Sequence, residues 1–211
     1  MEVICSPGRR EARKADRRRA ILDVAERSFL ERGYADTSMS TIAAELGGSK
    51  TTLWSYFPSK EELFAAVLDS KIDHFRRALD EALLSSGGTA AALRRFGQLL
   101  LDKVMSPSSI ALNRLIVAEA ERFPSIGETF ATRGPDRVRE RLAEWMRGEM
   151  ASGRMREGDP AIAARQFIGL CQAGCYFDRL WRPQQAAARD QVADIEAAVE
   201  TFLHGWASPA A

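Results

Sequence analysis

Apolar residues recur along this chain at the three- and four-residue spacing of helices, and no stretch alternates apolar and polar positions with β-branched enrichment. The pattern predicts an all-α protein. Ile21, Leu22, Ala25, Phe29 and Leu30 form one helical stripe, closed by Gly33 as a left-handed stop. Ser38 can cap a short second helix with Ile42, Ala43 and Leu46 facing inward and Gly47-Gly48 ending it. Ser49 or Lys50 opens another short helix through Leu53 to Tyr56. Pro58 stops it, because the proline ring disfavours helical geometry at Phe57. Ser59 with Glu62 three residues on reads as a capping box, and Leu63, Phe64, Val67, Leu68, Ile72, Phe75 and Leu79 carry a long helix to about Leu84.

Beyond Ser85-Ser86-Gly87-Gly88 the breaks fall at Pro107, Pro124, Gly134-Pro135, Gly153, Asp159-Pro160 and Pro183, which leaves helices of roughly three to six turns. Asp159-Pro160 pairs a cap with a first-turn proline and starts a helix expected to reach about Leu180. Its apolar arc of Ala163, Phe167, Ile168, Leu170, Cys171, Gly174 and Cys175 is broad, which predicts burial on more than one side. The final helix, from about Ala188 to Trp206, has a narrower stripe of Val192, Ile195, Val199, Phe202, Leu203 and Trp206.

The chain has 211 residues, 45% apolar and 28% charged, enough for one large domain or two small ones. Charge interrupts every apolar run well before the roughly 18 residues needed to cross a bilayer, and the basic N-terminus lacks the apolar run of a signal peptide. Three cysteines, Cys5, Cys171 and Cys175, do not make a disulfide framework. The expected location is the cytoplasm. Charge is unevenly spread: residues 1–60 hold eleven basic and eight acidic side chains, and the rest hold nineteen and twenty-one. Arg9, Arg10, Arg13, Lys14, Arg17, Arg18 and Arg19 face only Glu11 and Asp16, so this end suits either a polyanion or solvent.

Ser38 to Phe57 has the form of a helix-turn-helix braced by the preceding amphipathic helix. Ala43, four residues before Gly47, allows close approach, and Ile42, Leu46 and Leu53 supply a small shared core. Lys50, Thr51, Thr52 and Ser55 make the outer face of the second helix polar. Enzyme signatures are poor by comparison. Gly47-Gly48-Ser49-Lys50-Thr51 breaks the order of a phosphate-binding loop and follows no strand. His74 and His204 are the only histidines, too few for a histidine-rich zinc site, and neither a triad nor any cofactor is expected. Cys171 and Cys175, one turn apart, read as small packing residues, with a redox or metal role as the alternative.

The run Ser49-Lys50-Thr51-Thr52-Leu53-Trp54-Ser55-Tyr56-Phe57-Pro58-Ser59-Lys60-Glu61-Glu62-Leu63-Phe64, with Gly33-Tyr34, Ser38-Met39, Ile42-Ala43 and Leu46-Gly47 before it, resembles the DNA-binding domain of TetR-family regulators. Trp54 stands where a tyrosine is common, and Gly48 where a small apolar residue is usual. Arg114 to Pro124 and Asp159 to Phe167 resemble the C-terminal domain of the AefR-like subfamily. The resemblance implies about nine helices: a basic arm (1–14), a helix-turn-helix domain (15–60) and an effector-binding and dimerisation domain (61–211).

It further implies that Lys50, Thr51, Thr52, Trp54 and Ser55 face the DNA groove, that Ser40 touches a base or phosphate, and that Ser38, Tyr56 and Lys60 touch phosphates. Amide groups at the helix starts Ser38, Ser49 and Ser59 suit anions. An unidentified small-molecule effector is expected among the middle helices, with Phe96, Leu100, Leu115, Trp145, Met146, Phe167 and Cys171 as candidates. A homodimer is expected to pair the last two helices through Phe167, Gly174, Cys175, Val199 and Phe202. The implied function is a ligand-responsive repressor on a palindromic operator. The alternative is a dimeric helical module that binds a small molecule or protein but no DNA.

Overall fold

The computed structural model describes residues 7–47, 50–84, 86–182 and 191–208, in which regular structure is helical apart from one isolated bridge between Met155 and Ala207. The helical segments are α1 (Pro7–Asp36), α2 (Met39–Glu45), α3 (Lys50–Tyr56), α4 (Lys60–Leu84), α5 (Gly88–Val104), α6 (Pro107–Glu119), α7 (Pro124–Arg133), α8 (Pro135–Ala151), α9 (Pro160–Gln172), α10 (Cys175–Trp181) and α11 (Gln191–Trp206). Pro107, Pro124, Pro135 and Pro160 each occupy a first helical position, where the missing N–H is no loss and the fixed φ already suits the helix. Asp159 completes the start of α9 by accepting from the amides of Ala161 at 2.7 Å and Ile162 at 3.3 Å. No helix among the described residues is long and apolar enough to cross a membrane.

Two expectations change along the chain. Residues 7–14, read as part of an arm, are the first turns of α1, because Ala12, Ala15 and a series of arginines favour helix and no breaker follows Gly8 before Gly33. The helix expected from Asp159 to Leu180 is interrupted at Ala173-Gly174. Counted as one broken helix, α9 and α10 bring the total to ten among the described residues. The break coincides with Asp194 of α11, whose carboxylate Oδ2 lies 2.5 Å from where a Cβ on residue 174 would be. The start at Ala188 lies outside the described residues, as do Cys5, Gly48 and Ser49.

The chain forms two compact units, residues 1–71 with 115–130, and residues 72–114 with 131–211. The expected boundary after residue 60 falls short because the opening turns of α4 bury Leu63, Phe64, Val67 and Leu68. In the second unit α9 packs on α8, α11 and α5, and α11 also packs on α5. Phe96, Leu142, Met146, Ala163, Phe167 and Cys171 are fully buried in that core. The Phe167 ring lies 5.1 Å from Phe202 and 6.2 Å from Phe96.

Phe167, Cys175, Val199 and Phe202, expected at a dimer interface, are buried within this chain, and Phe202 also lines a hollow along α9 and α11. The arc of α9 is broad because three helices of its own chain surround it, and these side chains are interior within one protomer. Gly174 likewise makes its close approach to the chain's own Asp194. Burial also pushes the Cys171 thiol up to about 12, which keeps it protonated in this core.

Candidate nucleic-acid interface

The first unit is organised around the buried stripe of α1. Ile21, Leu22, Ala25 and Phe29 are at most 5% exposed, and Ile42, Ala43, Leu53, Phe57, Leu63 and Phe64 are buried in the same unit. Phe29, Tyr34 and Phe64 form an aromatic trio with centroids 5.3 to 5.6 Å apart. Their hydrophobic burial holds the short helices, which at seven residues each have little stability of their own.

The link between α1 and α2 is specified by local hydrogen bonds. Gly33 turns the chain at φ 87°, and Thr37, buried beneath it, directs its hydroxyl toward the carbonyls of Gly33 at 2.7 Å and Ser28 at 3.0 Å. Ser38 caps α2, its Oγ accepting from the Thr41 amide at 3.0 Å. The Ser38 hydroxyl also lies 2.8 Å from that of Thr41. Gly47, at φ 61°, begins the turn toward α3.

In α3 only Leu53 is buried, so it anchors the helix while the remaining face looks outward. Lys50, Thr51 and Ser55 are exposed, Trp54 is 40% exposed, and Thr52 and Tyr56 are half-buried. A large aromatic left this open on a polar helix has an apolar face to offer a partner. Ser55 donates to the Thr52 carbonyl at 2.7 Å, which leaves the Ser55 oxygen free to accept from a donor. Ser38 is exposed and Ser40 half-buried in the same unit. This is a cation and several hydroxyls carried by a rigid element, chemistry that fits phosphate oxygens and base edges.

Lys60 is more engaged than its sequence position suggests. Its Nζ donates to the Tyr34 carbonyl at 2.8 Å and stands 4.2 Å from the Tyr34 ring centroid. Two of its three protons stay available to an anion. The Tyr34 hydroxyl donates to Glu61 at 3.1 Å, and burial raises the Tyr34 pKa. A hydrogen bond from its own backbone amide holds the Glu61 carboxyl below its ordinary value, with the Tyr34 hydroxyl adding to this.

Sequence reasoning missed two members of this unit. Glu119 Oε1 accepts from the amides of Tyr34 at 2.9 Å and Ala35 at 3.2 Å, and the Phe123 ring meets Tyr34 edge-on at 5.4 Å. Both lie in the Arg114 to Pro124 stretch that carries the C-terminal resemblance, but nothing in their spacing points to residues 34 and 35. In the second unit Arg114, at the other end of that stretch, donates to the Leu180 carbonyl at 2.7 Å through Nε.

The residues nominated for an effector do not converge. Phe96, Leu100, Met146, Phe167 and Cys171 are packed core of the second unit, whereas Leu115 belongs to the first. Trp145 lines an open hollow of about 580 Å³ with Leu83, Leu84, Ala92, Arg141 and Arg154. A second hollow of about 410 Å³ runs along the outer faces of α9 and α11, lined by Gln166, Gly169, Leu170, Ala173, Thr201 and Gly205 among others.

Comparison with known proteins agrees with this geometry. Residues 21–67 match the family described as bacterial regulatory proteins, tetR family, and residues 91–207 match the AefR-like transcriptional repressor C-terminal domain. A TetR-family regulator from Mesorhizobium loti superposes with a TM-score of 0.79 at 26% identity, covering 92% of this chain and 98% of that one. The flavonoid-responsive regulator FrrA superposes with a TM-score of 0.78 at 29% identity, covering 93% and 100%. The transcriptional regulator RutR of Escherichia coli is 35% identical over 100 residues, 47% of each chain. The chain thus spans about half the length of curated relatives such as this one.

Proposed function

Because the chain belongs to the TetR family of bacterial transcriptional regulators, we propose that it is a ligand-responsive repressor that binds a palindromic operator as a homodimer. The observation that carries this reading is α3, fixed inward by Leu53 and presenting Lys50, Thr51, Trp54 and Ser55 outward. Thr52 completes the groove-facing set. Ser38, Ser40, Ser49, Tyr56 and Lys60 supply the flanking contacts to phosphate. One short helix reaches only a few base pairs, so specificity requires two such heads on two half-sites.

The second copy docks on the outer face of α9 and α11, where Gly169 and Gly205 leave open space above the backbone beside Leu170 and Ala173. Dimerisation thus uses this face, which Phe202 lines beside Leu170 and Ala173, rather than the fully buried Phe167. The effector is apolar and aromatic, and Trp145 with the apolar floor of its hollow offers it a stacking surface, with Arg141 and Arg154 at the polar rim. The flavonoid response named for FrrA makes flavonoids the first class to try.

Selection of bound fragments from a random DNA pool tests the reading. A recovered inverted repeat supports it. Failure to retain any DNA from the pool, with flavonoid binding intact, favours the helical module that does not bind DNA.

A further inference from the structure

The open hollow beside Trp145 contains a glycine that the packing of the second unit does not explain. Gly148 lies inside α8, three residues after Trp145, and a Cβ built on it meets nothing within 4 Å. Glycine in a helix interior is destabilising relative to alanine, and neither a left-handed backbone nor a close neighbour requires it here. At about 100° per residue, Arg141, Glu144, Trp145 and Gly148 fall within an arc of about 100° and share one face of α8. Helical side chains lean toward the amino terminus, so any side chain at 148 would lie back over the turn that carries Glu144 and Trp145. Its absence leaves half-buried Trp145 uncovered on that side.

The polar groups of the hollow are tied to one another, and the ties determine what each can still offer. Beyond α8 the chain turns at Gly153, φ 74°, which brings Arg154 back onto Glu149. Arg154 Nε and Nη2 donate to the two Glu149 oxygens at 2.9 and 2.5 Å, and the Thr89 hydroxyl donates to the same carboxylate. Glu149 is thus engaged through both oxygens, while Nη1 of the half-exposed Arg154 fork faces no acceptor among the described hydrogen bonds. Arg141 is held alike. Its Nε donates to Asp80 and its Nη1 to Glu144 Oε2 at 3.2 Å, which leaves Nη2 to donate elsewhere. Glu144 is exposed, and its Oε1 remains to accept.

The lining thus combines an aromatic face, spare N–H groups from two guanidiniums and one open carboxylate oxygen, over an apolar floor of Leu83 and Ala92. Arg141 and Arg154 balance Glu144 and Glu149, so the lining carries no net charge. Asp80, paired with Arg141, is offset by Arg95, which donates to the carbonyls of Ala82 and Ser86 on the adjoining turn. No surplus of positive charge is left for an anion.

We propose that this hollow binds an uncharged, planar phenolic ligand and discriminates against the carboxylate of the same shape. The proposal rests on the reading of this hollow as the effector site. The rings stack on Trp145 in the space that Gly148 leaves, the phenolic oxygens accept from Arg141 Nη2 and Arg154 Nη1, and a phenolic hydroxyl donates to Glu144 Oε1. A carboxylate has no proton to donate to Glu144 and brings a like charge against it. The volume of about 580 Å³ lies within the range of small-molecule sites.

The probes are two trans-stilbenes, one with a hydroxyl and the other with a carboxylate at both para ends, titrated into the full chain by calorimetry near neutral pH. The diol should bind once per chain and at least about tenfold more tightly than the dicarboxylate. Gly148→Leu should weaken the diol by a similar factor, and both Gly148→Ala and Gly148→Leu should melt at or above the wild-type temperature because they replace a helix-interior glycine. Glu144→Gln, which removes the charge and supplies an amide donor, should narrow the gap between the probes by admitting the dicarboxylate. A purely structural role for Glu144 would not move that gap. A dicarboxylate bound as tightly as the diol, diol affinity untouched by Gly148→Leu, or no binding of either probe would overturn the proposal. The effector role is read separately, by fluorescence anisotropy of a duplex selected from a random pool: selective diol binding that leaves DNA affinity unchanged would keep the ligand class and overturn the effector reading.

Discussion

At Gly33 two constraints meet on one residue. Its φ of 87° is strained for any side chain, and a Cβ there would sit 2.8 Å from Glu119 Oε1, the atom that accepts from the next two amides. Gly33→Ala should therefore cost about 1 to 3 kcal/mol and weaken DNA binding as well, measured by urea denaturation and anisotropy. The φ requirement is legible in the sequence, since a glycine closing an apolar stripe is a helix-stop signal. The Glu119 requirement is not, because it joins residues 85 positions apart.

Glu149 gives a residue-level test by pH. It is 6% exposed and accepts from Arg154 Nε at 2.9 Å and from Thr89, and the Arg154 hydrogen bonds hold its carboxyl below the ordinary 4.5. A depressed folded-state value means that its contribution is present above about pH 4.5 and is lost as pH falls through the lower folded value. Glu149→Gln should cost about 1 to 3 kcal/mol at pH 7. The gap to wild type in urea denaturation should close as pH falls below 4.5. A gap independent of pH would show that the carboxylate charge contributes nothing.

Among the elements, starts were easier to read than interruptions. Pro107, Pro124, Pro135 and Pro160 placed four helix starts because proline's fixed φ and missing N–H act locally. The break between α9 and α10 was hidden because its partner, Asp194, lies on α11, and a lone glycine is tolerated inside a helix. Gly174→Ala should displace Asp194 from its close packing and lower stability by about 1 to 3 kcal/mol, as seen in thermal or urea unfolding. In α3 the polar outer face and the Leu53 anchor were legible from helical spacing alone. The internal ties of Lys60 to Tyr34 were not, since they depend on the bend at Gly33.

For the whole molecule, burial within one protomer separates side chains that hold the fold from those free to meet a second copy. The breadth of the α9 stripe pointed correctly to burial on several sides, but hydrophobicity does not say whose helices provide the cover. Phe167 is fully buried, so Phe167→Glu should leave an unpaired charge in the core and unfold the chain. Gly169 has open space above it, so Gly169→Arg should leave the protomer folded and break the dimer. Sedimentation velocity with circular dichroism distinguishes these outcomes. A folded dimer of Gly169→Arg would move the interface elsewhere.

On the proposed function, α3 reads DNA sequence as one of two paired heads. Its most direct test is the stoichiometry and sequence dependence of binding to a duplex selected from a random pool. Two protomers on one inverted repeat are expected. Lys50→Ala or Thr52→Ala should each change the preferred base at one position per half-site by about 1 to 3 kcal/mol. Affinity indifferent to sequence, or preferences untouched by both substitutions, would contradict it.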